Sequence, residues 1–136
     1  MSLLISKTVG ARALVIKGDE ILLVKHSYQS GWYTIGGAVE RGESPLNAII
    51  RELAEEVGIT AISSLKLMGI YLNDFEKRDD YVALYIVQNF EMHEVQCKEI
   101  SDKQWFTIAQ LLSEATPATI RRIEEYKGLR EQSDKW

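Results

Sequence analysis

Apolar positions near the start of the chain come in short β-branched and aliphatic runs. "ARALVI" (residues 11–16) and "EILLVKH" (20–26) read as two strands, and Lys17-Gly18-Asp19 between them predicts a hairpin turn. The glycine-rich stretch from Gly31 to Gly42, which carries Trp32 and Tyr33, predicts a loop with a short strand around Ala38 and Val39. The period then changes. Leu46, Ile49, Ile50, Leu53 and Val57 form one apolar stripe at helical spacing. Ser44 suits the N-cap, Pro45 the first helical position, and Gly58 a left-handed terminator. "ISSLKLMGIYLNDF" (62–75) and "YVALYIVQNFEM" (81–92) are strand-like and joined by the charged loop "EKRDD". "TIAQLL" predicts a short helix, and a second helix is predicted from Thr116 and Pro117 to Tyr126, with Ile120 and Ile123 facing inward. Residues 1–6 and the polar stretch 127–136 are expected to fray.

Strands followed by helices without strict alternation predict an α+β fold, a mixed β-sheet between helices in an α-β-α sandwich. The 136 residues are read as one domain, 1–136, large enough to bury a core. No apolar run approaches the roughly 20 residues needed to span a bilayer, and "MSLLISKTVGAR" lacks the pattern of a secretory leader. The expectation is a cytoplasmic protein without membrane contact. The single cysteine, Cys97, has no internal disulfide partner and cannot alone make a zinc site. A net charge of −4 argues against a broad nucleic-acid surface, while leaving room for a small anionic ligand held by local positive charge or a metal. His93 is read as solvated.

Charge adds a problem to the first helix. Glu52, Glu55 and Glu56 fall within an arc of roughly 100° flanking the apolar stripe. Such pairs cost a few tenths of a kcal/mol each in water, and roughly 3 kcal/mol each at about 6 Å in a drier cleft of effective dielectric about 20. A charge run of this kind is ordinarily a solvated face. Here it abuts the core, and the glycine-rich loop leads straight into it. Oxygen ligands gathered in an arc suit a hard cation such as Mg²⁺ or Mn²⁺ rather than zinc, which points to chemistry on phosphates.

The stretch from Gly37 to Ile59 resembles the Nudix box: glycine, five residues, glutamate, seven residues, then Arg-Glu-aliphatic-x-Glu-Glu-x-Gly-aliphatic. Gly37, Glu43, Arg51, Glu52, Leu53, Glu55, Glu56, Gly58 and Ile59 fill every specified position, a match that average composition would produce on the order of once in a hundred million chains of this length. The flanking strands and "KEISDKQWF" are similar to the family as well. The resemblance implies a Nudix fold of the MutT-like type and a hydrolase of nucleoside diphosphates linked to another group, working with Mg²⁺ or Mn²⁺. It implies that Glu52, Glu55 and Glu56 hold metal with the carbonyl of Gly37, and that Glu43 and Arg51 orient loop and helix. It also implies a further metal role for Glu99, six residues before Trp105. The family's usual proline before the paired glycines is Ile35 here, which stiffens the approach less but removes no ligand.

On this resemblance Glu52 is the candidate general base, with Glu99, Glu76 and Asp79 as alternatives. Lys25, His26 and Arg12 are candidate phosphate contacts, Arg12 because a strand-interior arginine needs a partner. Trp32, Tyr33 and Tyr81 are candidates to stack on a base or sugar. The expected partner is a small nucleoside-diphosphate-type substrate, a nucleoside triphosphate, nucleotide sugar or similar, and a homodimer is allowed. Competing readings are a nucleotide-sensing module that does not cleave, an RNA 5′-end pyrophosphohydrolase, disfavoured by the acidic balance, and an isoprenoid-type isomerase, for which Cys97 lacks the context. Phe75 and Glu76 occupy the region where some subfamilies carry a diagnostic proline or tyrosine, so the substrate stays open.

Overall fold

The computed structural model describes residues 7–75 and 78–136. Residues 1–6 and Glu76 therefore lie outside the described residues. In chain order the elements are β1 (Lys7–Lys17), β2 (Glu20–His26), β3 (Ile35–Ala38), α1 (Pro45–Val57), β4 (Ile59–Thr60), β5 (Ser64–Phe75), β6 (Arg78–Gln88), β7 (Glu91–Met92), β8 (Ile100–Thr107), α2 (Ile108–Glu114) and α3 (Pro117–Tyr126).

The main sheet runs β5-β6-β1-β2-β8, with β3 pairing beside β1. It is mixed: β1 pairs parallel with β6 and antiparallel with β2 and β3. Alternation along β1 and β2 sends their side chains into two cores. Ala11, Ala13, Val15, Leu22 and Val24 pack with Ala48, Ile49, Leu53 and Val57 of α1. Leu14, Ile16, Ile21 and Leu23 pack on the other side with Leu111 of α2, Ile123 of α3, Trp32, Tyr71 and Phe106. The molecule is the expected α-β-α sandwich.

Several elements depart from the sequence expectations. β1 extends through the polar "KTVG", because that half is held by β3 and by a long parallel register with β6. β8 was not foreseen as a strand. Its sequence "ISDKQWFT" is mostly polar because it is an edge strand, where charged side chains discourage further pairing. The strand predicted to run to Met92 stops at Gln88. Asn89 turns with φ 56°, and Glu91–Met92 crosses to pair with Ile59–Thr60 in a separate two-stranded sheet.

Helix α1 is capped as its sequence predicts. The Asn47 amide donates to Ser44 Oγ (3.1 Å), and Gly58 closes the helix in the left-handed region, its amide reaching Ala54 O and Leu53 O. The buried face is rotated from the predicted stripe, however. Leu46 and Ile50 are exposed, while Glu56 joins Ala48, Ile49, Leu53 and Val57 inside. On α3 the inner face holds Thr119, Arg122, Ile123 and Glu125, with Ile120 only half-buried. The expected fraying of 127–136 is also corrected. The tail returns to β5, where Leu72 N–H donates to Asp134 O (2.8 Å) and Trp136 N–H to Leu72 O (2.9 Å).

Candidate active site

The site begins where β3 leads into α1. β3 lies antiparallel to β1 with Arg12 opposite Gly36 and Ala11 opposite Gly37. Gly36 has φ 142°, and a Cβ there would strike the Ala11 carbonyl, so only glycine lets the two strands approach. That approach aims the Gly36 amide at Glu56, whose Oε1 accepts it at 3.0 Å. A Cβ on Gly37 would stand 3.0–3.3 Å from the carboxylate atoms of Glu52, so the strand backbone also presses against the second glutamate.

The three glutamates are graded in burial. Glu56 is 5% exposed, the Glu52 side chain 13% and the Glu55 side chain 59%. Burial lifts the Glu56 carboxyl to about 7, and the Glu52 charge adds to the lift; the Gly36 amide and the Arg12 charge oppose it, and Glu99 supports it. Arg51 organises the rest. It forks onto Glu43, Nε to Oε2 at 2.8 Å and Nη2 to Oε1 at 2.9 Å, and Nη2 also donates to Ala38 O at 3.2 Å. Its Nη1 donates to Glu52 Oε1 at 2.8 Å and lies 3.5 Å from Glu55 Oε2. Arg51 holds the Glu43 carboxyl down to about 2, helped by the Glu40 amide. The loop-to-helix contact expected of Glu43 and Arg51 is therefore present, and Arg51 also neutralises the outer two glutamates.

Among the described residues, no three acidic, histidine or cysteine side chains converge at ligand spacing. Arg51 draws Glu52 and Glu55 toward itself, and Glu56 lies behind them on the Gly36 amide. The donor set still fits a hard divalent cation: carboxylate oxygens on adjoining turns, a backbone strand pressed against them, and a buried carboxylate with no side-chain cation in contact. Glu99 stands near enough to act on Glu56 and His26, and its carbonyl accepts the Ser27 amide at 3.0 Å.

The other candidates separate. His26 is buried with Nδ1 unpartnered, its ring 5.2 Å edge-on from Tyr33; burial and Arg12 depress its pKa. Arg12 donates to Thr34 O at 2.8 Å, and with Tyr33 it lines a cavity on the α3 side of the sheet. Three candidates need correcting. Trp32 is buried in the second core, T-stacked on Phe106 at 5.0 Å, which removes it from a substrate's reach. Lys25 is paired with that ring, its ammonium 5.6 Å from the Trp32 centre. Tyr81 is exposed and, by strand alternation, on the opposite face from Asp80 and Val82, so it does not join Arg12 and Tyr33 in the cavity. Asp79, in β6, pairs in register with Asp74. The sequence reading does not single out the Gly36 amide; its signal is the first glycine of "GG", a backbone position where close approach is useful.

The NUDIX domain family model matches residues 6–126. The chain belongs to the NUDIX family. By class this Nudix protein is a pyrophosphohydrolase. It is 30% identical over 128 residues to the Lactococcus lactis protein named "Probable DHNTP pyrophosphohydrolase", covering 89% of this chain and 74% of the relative. It is 34% identical over 92 residues to the mouse "Diphosphoinositol polyphosphate phosphohydrolase 2", where the match spans 66% of this chain and about half, 51%, of the relative. A solved MutT NUDIX hydrolase from Burkholderia pseudomallei superposes with a TM-score of 0.75 at 25% identity, over 88% of this Nudix chain and 97% of that one. Among the described residues no helix is long and apolar enough to cross a membrane.

Proposed function

We propose that this chain hydrolyses the pyrophosphate linkage of a nucleoside-diphosphate derivative, a nucleoside triphosphate, nucleotide sugar or similar, with Mg²⁺ or Mn²⁺ as cofactor. The observation that carries the reading is Glu56. It is a carboxylate 5% exposed that accepts the Gly36 amide, lifted toward neutral pH first by burial and then by the Glu52 charge, and a bound cation would relieve both. Glu52, Glu55, Glu56, the Gly37 carbonyl and Glu99 are the groups that would hold the ion. When bound, a divalent cation supplies charge to offset the diphosphate and the leaving phosphate.

The chain's own residues account for the remainder. Arg51, fixed by its fork onto Glu43, ties β3 to α1 and holds Glu52 and Glu55 in reserve. Gly36 sets the position of Glu56 through its amide. A water oxygen forms a bond to phosphorus, the anhydride P–O bond breaks toward the leaving phosphate, and the water's proton passes to a carboxylate oxygen of Glu52. Arg12 and the neighbouring Tyr33 face the organic end of the substrate across their cavity.

Product release from a panel of nucleotides at fixed Mg²⁺ tests the activity, with ion binding measured in parallel by calorimetry. Glu55→Gln and Glu56→Gln are each expected to lower turnover by orders of magnitude and weaken ion binding, with circular dichroism unchanged. Near-normal turnover in either variant at saturating Mg²⁺ contradicts the assignment.

A further inference from the structure

The tail that returns to β5 is held by a buried polar clasp. Arg122 is fully buried and paired with Glu125, Nε 2.9 Å from Oε1 and Nη2 donating to Oε2 at 3.1 Å. Glu125 also accepts the Tyr71 hydroxyl (2.8 Å) and the Ser133 amide (2.7 Å). Arg122 Nη1 donates to the carbonyls of Lys135 (3.0 Å) and Trp136 (2.6 Å), and Arg121 Nη2 to Trp136 O (2.8 Å). The Arg122 guanidinium lies 4.3 Å from the Tyr71 ring centre and 5.2 Å from that of Trp136. Gln132 Nε2 donates to Met68 O (2.9 Å) and passes so close to Gly69 that a Cβ there would strike it.

Buried ion pairs contribute little net stability compared with apolar side chains of the same volume; their best-attested use is fixing one arrangement among several. Here the arrangement that is fixed is the position of Trp136. The clasp delivers it to the wall of a cavity of about 570 Å³ that Arg12, Tyr33, Asn73, Asp80 and Arg121 also line. Arg12 on its wall stands opposite Gly36 in register, the residue whose amide Glu56 accepts, so one strand pair separates the cavity from the glutamates. Pockets for organic ligands combine apolar walls with a few placed polar groups. Tyr33 and Trp136 supply aromatic surface, and Asn73 and Asp80, paired across β5 and β6, supply hydrogen-bonding groups.

We propose that Trp136 is a specificity-determining residue, an aromatic wall for the nucleobase end of the substrate, and that the Arg122–Glu125 clasp is the positioning device that places it. The proposal rests on the nucleotide-hydrolase reading for its ligand class, but its test does not depend on turnover.

The full chain is titrated with the α,β-methylene analogues of ATP, GTP, CTP and UTP and with inorganic tripolyphosphate, at fixed Mg²⁺. The wild type is expected to bind at least one nucleotide more tightly than tripolyphosphate. Trp136→Ala is expected to lower that preference at least tenfold, and Trp136→Phe to retain most of it. Glu125→Gln is expected to reproduce the loss. Should Glu125→Gln fail to fold, Gln132→Ala takes its place, and it too is expected to lower the preference. In steady state with the substrate found, Trp136→Ala is expected to raise KM far more than it lowers kcat. An unchanged preference in Trp136→Ala, or a wild type that does not favour any nucleotide over tripolyphosphate, overturns the proposal. A Trp136-dependent preference without product release would overturn the hydrolase reading and leave this one standing.

Discussion

Glu56 sets most of the behaviour at the scale of single residues. Its carboxyl rises from an ordinary 4.5 to about 7 in the fold, so folded protein holds the proton more tightly than the unfolded chain does. The contribution of Glu56 is therefore full below about pH 4.5, falls as pH rises toward about 7, and stays lower above that, by roughly 3 kcal/mol. Denaturant midpoints taken with chelator at pH 5 and pH 8 should show this fall in the wild type, and Glu56→Gln should flatten it. Saturating Mn²⁺ at pH 8 should restore much of the loss in the wild type and little in the variant. Glu43 has the opposite sign. Arg51 holds it near 2, so its contribution is present above about pH 4.5 and lost as pH falls toward 2; Glu43→Gln should remove that acid-side loss. Gly36 makes a steric prediction. Gly36→Ala drives a methyl into the Ala11 carbonyl and should cost about 3 kcal/mol in thermal or denaturant unfolding, with loss of the amide that holds Glu56.

Secondary elements carry the second set of consequences. Ser44 caps α1 by accepting the Asn47 amide on its side chain, not a glutamate, so Ser44→Ala should cost about 1 kcal/mol of stability and leave kcat unchanged. Unfolding curves and steady-state rates separate the two effects. Elements were legible in the sequence where local signals and tertiary packing agreed. Ser44, Pro45 and Gly58 bracketed α1, and Thr116 with Pro117 opened α3, because caps act within a few residues. β8 was illegible because an edge strand is polar by requirement, and its strand character comes from its pairing with β2. The orientation of α1 was missed for a related reason. Its apolar residues suggest a face through Leu46 and Ile50, but the face that packs on the sheet holds Ala48, Ile49, Leu53 and Val57, and the Gly36 amide satisfies the Glu56 carboxylate buried beside them.

Viewed whole, the molecule is a mixed sheet with two dry faces, each carrying part of the proposed site. The α1 face presents the glutamates, and the α3 face presents the cavity with Arg12 and Tyr33. The resemblance to the Nudix family was readable in the sequence, since the residue types it fixes between Gly37 and Ile59 sit on one loop and one helix. The cavity was not, because its walls come from β1, β5, β6, α3 and the tail, brought together only by topology. Trp32 shows the limit of residue type as evidence. It looks like a stacking group in the sequence but is core in the fold, and Trp136, in a stretch read as a fraying tail, is the tryptophan on the cavity wall.

All of this depends on the acidic edge of α1 capturing divalent ions in the presence of a phosphate chain. Titration of the wild type, Glu52→Gln and Glu56→Gln with Mn²⁺, with a non-hydrolysable nucleotide present and free ion counted by electron paramagnetic resonance, measures that capture directly. Saturable binding is expected in the wild type and at least tenfold weaker binding in both variants. No ion retained by the wild type, or equal retention by all three proteins, would contradict capture at that edge.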